Sequence, residues 1–318
     1  MSSTVRHVSL TPEQDALAVS VIRGLAMDAP LAARSGHQRT AMSLAPLGHV
    51  LYSRVMRHDP SDPTWPDRDR FVLSNGHASI LQYALLHLSG YGLEMEDLRE
   101  FRQWGSRTPG HPEAGHTPGI EVTTGPLGQG VANAVGMAIA ERNLRARFGA
   151  EAMDHHTWVI AGDGCMMEGV SHEAASLAGH LGLGGLTTVF DDNRITIDGS
   201  TDLATSDDVP ARFHAYGWDV VELGDAGEDL DALETALLAS KDTAQPTLIV
   251  LRTHIGFPSP DHVDTHEAHG NPFDEGDVTR TKAAMGIPDE PFWVPHELLD
   301  AYRRHTRARG LAARDAWL

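Results

Sequence analysis

The 318-residue sequence predicts an α/β fold, a parallel sheet covered by helices on both faces. Four short apolar runs bounded by turn residues, Trp158 to Ala161, Leu186 to Phe190, Val220 to Leu223 and Thr247 to Leu251, have the character of buried parallel strands. Helical stretches separate them, so the strands need right-handed crossovers. A glycine-rich turn from Gly125 feeds a small-residue helix, expected to be buried on several sides.

Along the chain, Thr-Pro-Glu at Thr11 precedes Leu17, Val21, Ile22 and Leu25 at helical spacing, which predicts a capped helix from Thr11 to Leu31. Leu44 to Met56 and Ile80 to Leu88 repeat the helical period, and Pro60, Pro63 and Pro66 place a loop between them. With no internal repeat, low-complexity tract or Gly/Ser linker, the simplest division is one domain over 1–318, its core at about 10–270 and a C-terminal extension at about 271–318. The basic run RRHTRARGLAAR near the end reads as the solvated end of a terminal helix.

Composition narrows the function. Forty-four acidic residues against twenty-five basic ones give a formal charge of −19, which repels nucleic acid and anionic membrane surfaces. Cys165 is the only cysteine, so no intrachain disulfide forms. The polar start MSSTVRHVSL lacks the apolar core of a signal peptide, and no apolar run approaches the roughly 20 residues of a membrane span. These features lead to the expectation of a cytoplasmic protein with neither nucleic acid nor membrane as partner.

The chemistry concentrates at two strand ends. Ile160-Ala-Gly-Asp-Gly closes one strand, and ligands of α/β sheets bind at such carboxyl ends. There Gly162 and Gly164 let backbone amides approach a diphosphate, and Asp163 supplies a carboxylate. Thirty positions on, Asp191-Asp-Asn-Arg-Ile offers the Asn193 side-chain oxygen and the Ile195 carbonyl at the next strand end. Three hard oxygen donors suit Mg²⁺, or Ca²⁺ or Mn²⁺, with phosphates and water completing the shell.

A Gly-Asp-Gly followed about thirty residues later by Asn is the fingerprint of thiamin-diphosphate enzymes. With the segments DRDRFVLSNGHASILQYALLHLSGY, TPGHPE, EVTTGPLGQGVANAVGMAIAE, GDGCMMEGVSHEAASLAG and IGFPSPDHVDTHEAHG, in that order, the chain resembles the N-terminal half of transketolase from about Gly36 to Gly270. The resemblance implies the thiamin-diphosphate-binding fold, with Asp163, Asn193 and Ile195 on the metal and Gly164 near the diphosphate. It places Gly125, Pro126 and Leu127 along the cofactor's rings and Glu168 at a subunit interface beside it. It implies that His37, His77, His111 and His266 line the substrate channel, with His77 and His266 also near the cofactor, and that Arg102 helps hold the acceptor sugar. His116, His155, His156, His172 and His269 lack such support and read as structural or exposed.

The implied activity is transfer of a two-carbon ketol unit from a ketose phosphate donor to an aldose phosphate or related acceptor. Single-chain relatives are about twice as long, and their second half supplies the glutamate that activates the cofactor's aminopyrimidine. The resemblance therefore implies a separate C-terminal-half subunit as partner, two copies of each chain, and no activity alone. Two departures stand out. Gln38-Arg39-Thr40-Ala41 replaces a Pro-Gly-Ala-Pro turn, adding a cation near the donor pocket, and Arg194 replaces a glycine after the metal-binding asparagine. The metal-binding subunit of a 2-oxo-acid decarboxylase or dehydrogenase, and a noncatalytic partner-binding half, are the competing readings.

Overall fold

The computed structural model describes residues 9–265 and 272–318. Five parallel strands, β1 (Arg70–Leu73), β2 (Thr157–Gly162), β3 (Leu186–Asp192), β4 (Asp219–Gly224) and β5 (Thr247–Arg252), form one sheet in the order β1-β2-β3-β5-β4. Side chains alternate between its faces, so each strand contributes to two cores. Phe71, Leu73, Trp158, Ile160, Val189 and Ile249 face one core. Val72, Val159, Ala161, Phe190, Leu248 and Val250 face the other.

The first core is filled by α1 (Pro12–Ala33), α2 (Gln38–Ser43), α3 (Ala45–Val50), α4 (Ser79–Ser89), α5 (Met95–Arg99) and later helices named below. In α1, Thr11 accepts from the Gln14 amide and Gln14 reaches back to the Thr11 amide, a capping box that satisfies two donors at the helix start. Contrary to the sequence reading, α1 is long and apolar enough by length and composition to cross a membrane, yet most of it is buried inside the protein. The segment from Leu44 to Met56 divides into α3 and a π-helical turn, Leu51–Val55.

The second core lies under α6 (Gln129–Phe148), α7 (Asp163–Met167), α8 (Gly169–Leu181) and α9 (Val209–Ala215), while α10 (Leu230–Ala239) returns to the first. Helix α6 is half open rather than buried on several sides: Val131, Ala134, Val135 and Ala138 are buried, but Asn133, Gly136 and Ala140 are exposed. The sequence reading also missed β1, which has only three consecutive apolar residues, and placed Val220–Leu223 in the interior. As β4 this run is the edge strand, and Val221 and Glu222 are exposed because neither face is fully covered.

The C-terminal segment is integrated into the domain. Helices α11 (Glu275–Ala284) and α12 (His296–Trp317) place Val278, Leu298 and Tyr302 in the first core, and the segment between them adds Phe292. The basic run proves to be a fastening rather than a solvated end. Arg309 donates to the Ser53 carbonyl at 2.5 Å and the Arg54 carbonyl at 2.6 Å, satisfying acceptors that the π-helical turn leaves open at its end. Arg314 pairs with Asp59 at 3.0 Å. Gly310 is required there, because a Cβ would lie 2.6 Å from the His58 carbonyl oxygen.

Candidate functional site

The carboxyl ends of β1, β2 and β3 converge on a cavity of about 440 Å³. From β1 the chain turns through Ser74 and Asn75 into a short 3₁₀ turn, Gly76–Ala78, that presents His77. From β2, Gly162 leads into α7, whose first residue is Asp163. From β3 come Asp191 and Asn193, and an antiparallel bridge between Ile195 and Ser200 folds the following loop over the cavity.

The three predicted metal ligands come together here. The Asn193 amide is oriented by its neighbours: Nδ2 donates to Asp191 Oδ2 at 2.9 Å, and Oδ1 accepts from the Ile195 amide at 3.0 Å. Asp191, fully buried, also accepts from Thr253 Oγ1. Oδ2 of Asp163 is buried without a hydrogen-bond partner. Burial, reinforced by the negative charges of Asp191 and Asp192, raises the Asp163 carboxyl from 3.8 to about 8. Asp191 is raised to about 6, mainly by burial. Asp163 and Asp191 line the same buried corner with Asp192 outside it, and the unpartnered oxygen of Asp163 is one that a divalent cation would relieve.

The glycines fit a backbone that must approach a diphosphate. A Cβ on Gly164 would lie 2.8 Å from Leu127 Cδ1, so the strand-end turn and the Gly125–Leu127 loop meet only because that side chain is missing. Gly125 and Gly128 hold φ of 153° and 78°, and a Cβ on Gly128 would collide with Glu168 at 2.6 Å. Leu127 lines the cavity wall, and Pro126 is exposed beside it. Glu168 is exposed at the cavity mouth, between α7 and α8.

His37 and His77 both line the cavity, ring centroids 5.0 Å apart. His111 stands at its edge, its ring about 3.5 Å from where a Gly125 Cβ would be. Helix α4 fixes that loop: Ser79 Oγ donates to the Gly110 carbonyl and Tyr83 Oη to the Pro109 carbonyl, each at 2.9 Å. Burial, then the nearby Arg102, lowers the His111 pKa, which keeps the imidazole neutral. Arg102 lies on the outer side of this loop, against Gly110, and donates to Ser35 Oγ at 2.7 Å. His266 and His269 lie outside the described residues.

Neither Arg39 nor Arg194 lines the cavity itself. Arg39 is buried away from the lining residues, its guanidinium 4.5 Å from the Phe273 ring centroid. Arg194 holds φ of 61°, which explains the glycine common at that position, and its mostly exposed side chain faces Asp192 at 3.5 Å. Sequence reasoning missed Asn75, which is buried in the lining with both amide atoms unpartnered, and Asp191, which orients Asn193. The polar Asn75 immediately after an apolar strand end was the available signal.

Comparison with known proteins gives a consistent result. The family described as transketolase, thiamine diphosphate binding domain, matches residues 14–318. The chloroplastic transketolase of Zea mays is 49% identical over 319 residues, 99% of this chain and 47% of the maize protein. Transketolase 2 of Xanthobacter flavus is 52% identical over 94% of this chain and 44% of its own length. Among solved structures, Pichia stipitis transketolase in complex with sedoheptulose-7-phosphate superposes with a TM-score of 0.91 at 47% identity, covering 95% of this chain and 45% of that one. Campylobacter jejuni transketolase gives 0.93 at 37% identity, covering 97% and 48%. The chain thus spans about half the length of the curated relatives it matches.

Proposed function

Since this chain belongs to the transketolase family and carries its thiamine-diphosphate-binding domain, we propose that it supplies the metal- and diphosphate-binding half of a site that moves a two-carbon ketol unit from a ketose phosphate to an aldose phosphate. The observation that carries this reading is the buried Asp163 Oδ2, without a hydrogen-bond partner, beside Asn193 and Ile195 in the same cavity as His37 and His77.

In this reading Asp163, the Asn193 Oδ1 and the Ile195 carbonyl would hold Mg²⁺, and the Gly164 amide would face the diphosphate. Bound thiamine diphosphate supplies a nucleophilic carbon and an electron sink, chemistry no side chain offers. The residues of this chain orient it and manage protons. Asn75, with an unpartnered donor and acceptor, hydrogen-bonds the cofactor or donor within the cavity. His37 and His77 hold the donor's hydroxyl groups, and the neutral ring of His111 accepts a hydroxyl proton at a ring nitrogen. His266 joins them by resemblance alone. Arg102, which the resemblance assigns to the acceptor, packs behind the His111 loop against Gly110 and supports that loop.

The complementary half is supplied by a second chain, in an assembly of two copies of each. Supporting this, Glu168 and Val170 at the cavity mouth and Gly136 and Ala140 along α6 are exposed, leaving a face for another protein to cover. The test is the native mass of the complex isolated from its own cells, with its thiamine diphosphate and magnesium content. A second chain of similar size with cofactor bound is expected; a cofactor-free homo-oligomer would refute the proposal.

A further inference from the structure

A larger cavity, about 550 Å³, lies at the opposite end of the sheet. It is built from the turns that enter the strands: His155 and His156 before β2, Gly182–Gly185 before β3, and Lys241–Ala244 before β5, roofed by the last turns of α6. It shares no lining residue with the site described above. Its size is within the about 300–1,000 Å³ of small-molecule sites.

The floor and the rim of this cavity differ in chemistry. On the floor, Glu141 of α6 is 6% exposed, and its Oε1 is buried with no hydrogen-bond partner. Burial raises its pKa. His155 beside it is equally buried; Nδ1 faces Asp67 at 3.4 Å without a hydrogen bond. Glycine at 184 and 185 leaves the space clear: a Cβ on Gly184 would strike the Thr243 carbonyl at 2.4 Å, and one on Gly185 would approach Glu141 Oε2 at 3.6 Å. On the rim stand Arg57, Arg142, Arg145 and Lys241, against Asp154 and Asp242. Arg57 and Arg145 bind Asp154, through its carbonyl and its carboxylate respectively. Among the described residues Lys241 makes no hydrogen bond or ion pair.

A buried carboxyl oxygen with no partner is a standing cost to the fold, and natural proteins keep such groups for a reason. Here it sits beneath a rim of four cations and two acids, where Arg142 also donates to the Leu181 and Gly182 carbonyls, in a chain whose formal charge is −19. From this arrangement we infer a second binding site, for a small phosphorylated sugar or polyol, at the amino ends of the strands. The phosphate rests among Lys241, Arg145 and Arg142 at the rim, and hydroxyl groups reach down to Glu141 Oε1 and His155. Glu141 sits on α6, which begins just after the Gly125–Gly128 turn, and His155 leads into β2, which ends at Gly162 beside Asp163. A ligand at the base therefore braces the two elements that shape the cofactor cavity.

Calorimetric titration of the complete enzyme with glucose 6-phosphate, inorganic phosphate and glucose tests this. Saturable binding of the sugar phosphate is expected, tighter than phosphate and with no comparable binding of glucose. Lys241→Ala and Glu141→Leu should each weaken it about tenfold or more, the usual loss for a hydrogen bond to a charged group, whereas His111→Ala, which alters the catalytic cavity, should leave this isotherm unchanged. Thermal unfolding separates a binding role from a structural one: without ligand, Glu141→Leu should raise the melting temperature by about 1–4 °C, because it removes an unsatisfied buried group. A lowered melting temperature would show that Glu141 is structural. Equal affinity for phosphate and sugar phosphate, insensitivity to Lys241→Ala, or loss of binding in His111→Ala would each overturn the assignment.

Discussion

Replacing Asp163 with Asn should stabilise the metal-free protein while abolishing the function that the carboxylate serves. In the folded chain this group is raised from 3.8 to about 8, so its stabilising contribution is complete below pH 3.8 and is lost as the pH rises toward 8. At pH 7 the chain has climbed about 3 pH units of that interval at 1.36 kcal/mol each, a cost of about 4 kcal/mol for the free carboxylate. An amide of the same shape escapes that charge penalty but is itself poorly hydrogen-bonded in the corner, which leaves a net gain of about 1–3 kcal/mol. For a chain this size that corresponds to a rise of about 2–6 °C in melting temperature. The assay is thermal unfolding of wild type and variant between pH 5 and 8 after chelation, repeated with magnesium and thiamine diphosphate. The advantage of the variant should widen as the pH rises, and the added ligands should stabilise wild type by about 2.7 kcal/mol at a hundred times Kd while leaving the variant unmoved. A difference independent of pH, or an unchanged ligand-induced shift in Asp163→Asn, would refute the placement of the metal.

Three further outcomes follow from the same structure. Asp191→Ala frees the Asn193 amide from the bond that orients it, and magnesium affinity measured by titration should fall about 10–100-fold, as for other residues that orient a ligand. His58 and His156, buried and held at about 4 and about 3, bind protons far more weakly folded than unfolded, so stability should fall as the pH drops below 6.5; denaturant unfolding should show a slope of up to about 2.7 kcal/mol per pH unit, roughly halved in His156→Gln. Lys282→Met leaves Asp28, which Lys282 meets at 2.8 Å, as an uncompensated buried charge, and should cost about 3–5 kcal/mol in denaturant unfolding; a loss below about 1 kcal/mol would show that the Phe292 amide alone suffices for Asp28.

The parts of the site legible in the sequence were those close together along the chain. Gly162, Asp163 and Gly164 are consecutive, and Asn193 and Ile195 are two apart, so strand-end chemistry could be read from apolar runs ending in such residues. Four of the five strands announced themselves in the same way. Strand β1 did not, because three consecutive apolar residues are too short a run to mark a strand, and its place is set by parallel pairing with β2. Arg39 read as a pocket cation from its place after His37, but one helical turn carried its side chain to Phe273 instead.

By itself, then, the sequence determined the fold class, the family and the strand ends that form the candidate site, because each is a local pattern repeated in register with secondary structure. Tertiary structure decided which polar groups would be left without partners, since that depends on what the rest of the chain brings to within 3 Å. It made Asp191 the anchor of Asn193 through Thr253, sixty-two residues away. It turned the basic C-terminal run into a clasp for the Ser53 and Arg54 carbonyls, and it buried Glu141 beneath a rim of four cations and two acids. Burial and charge proximity are properties of three-dimensional neighbours, and no spacing along the chain encodes them.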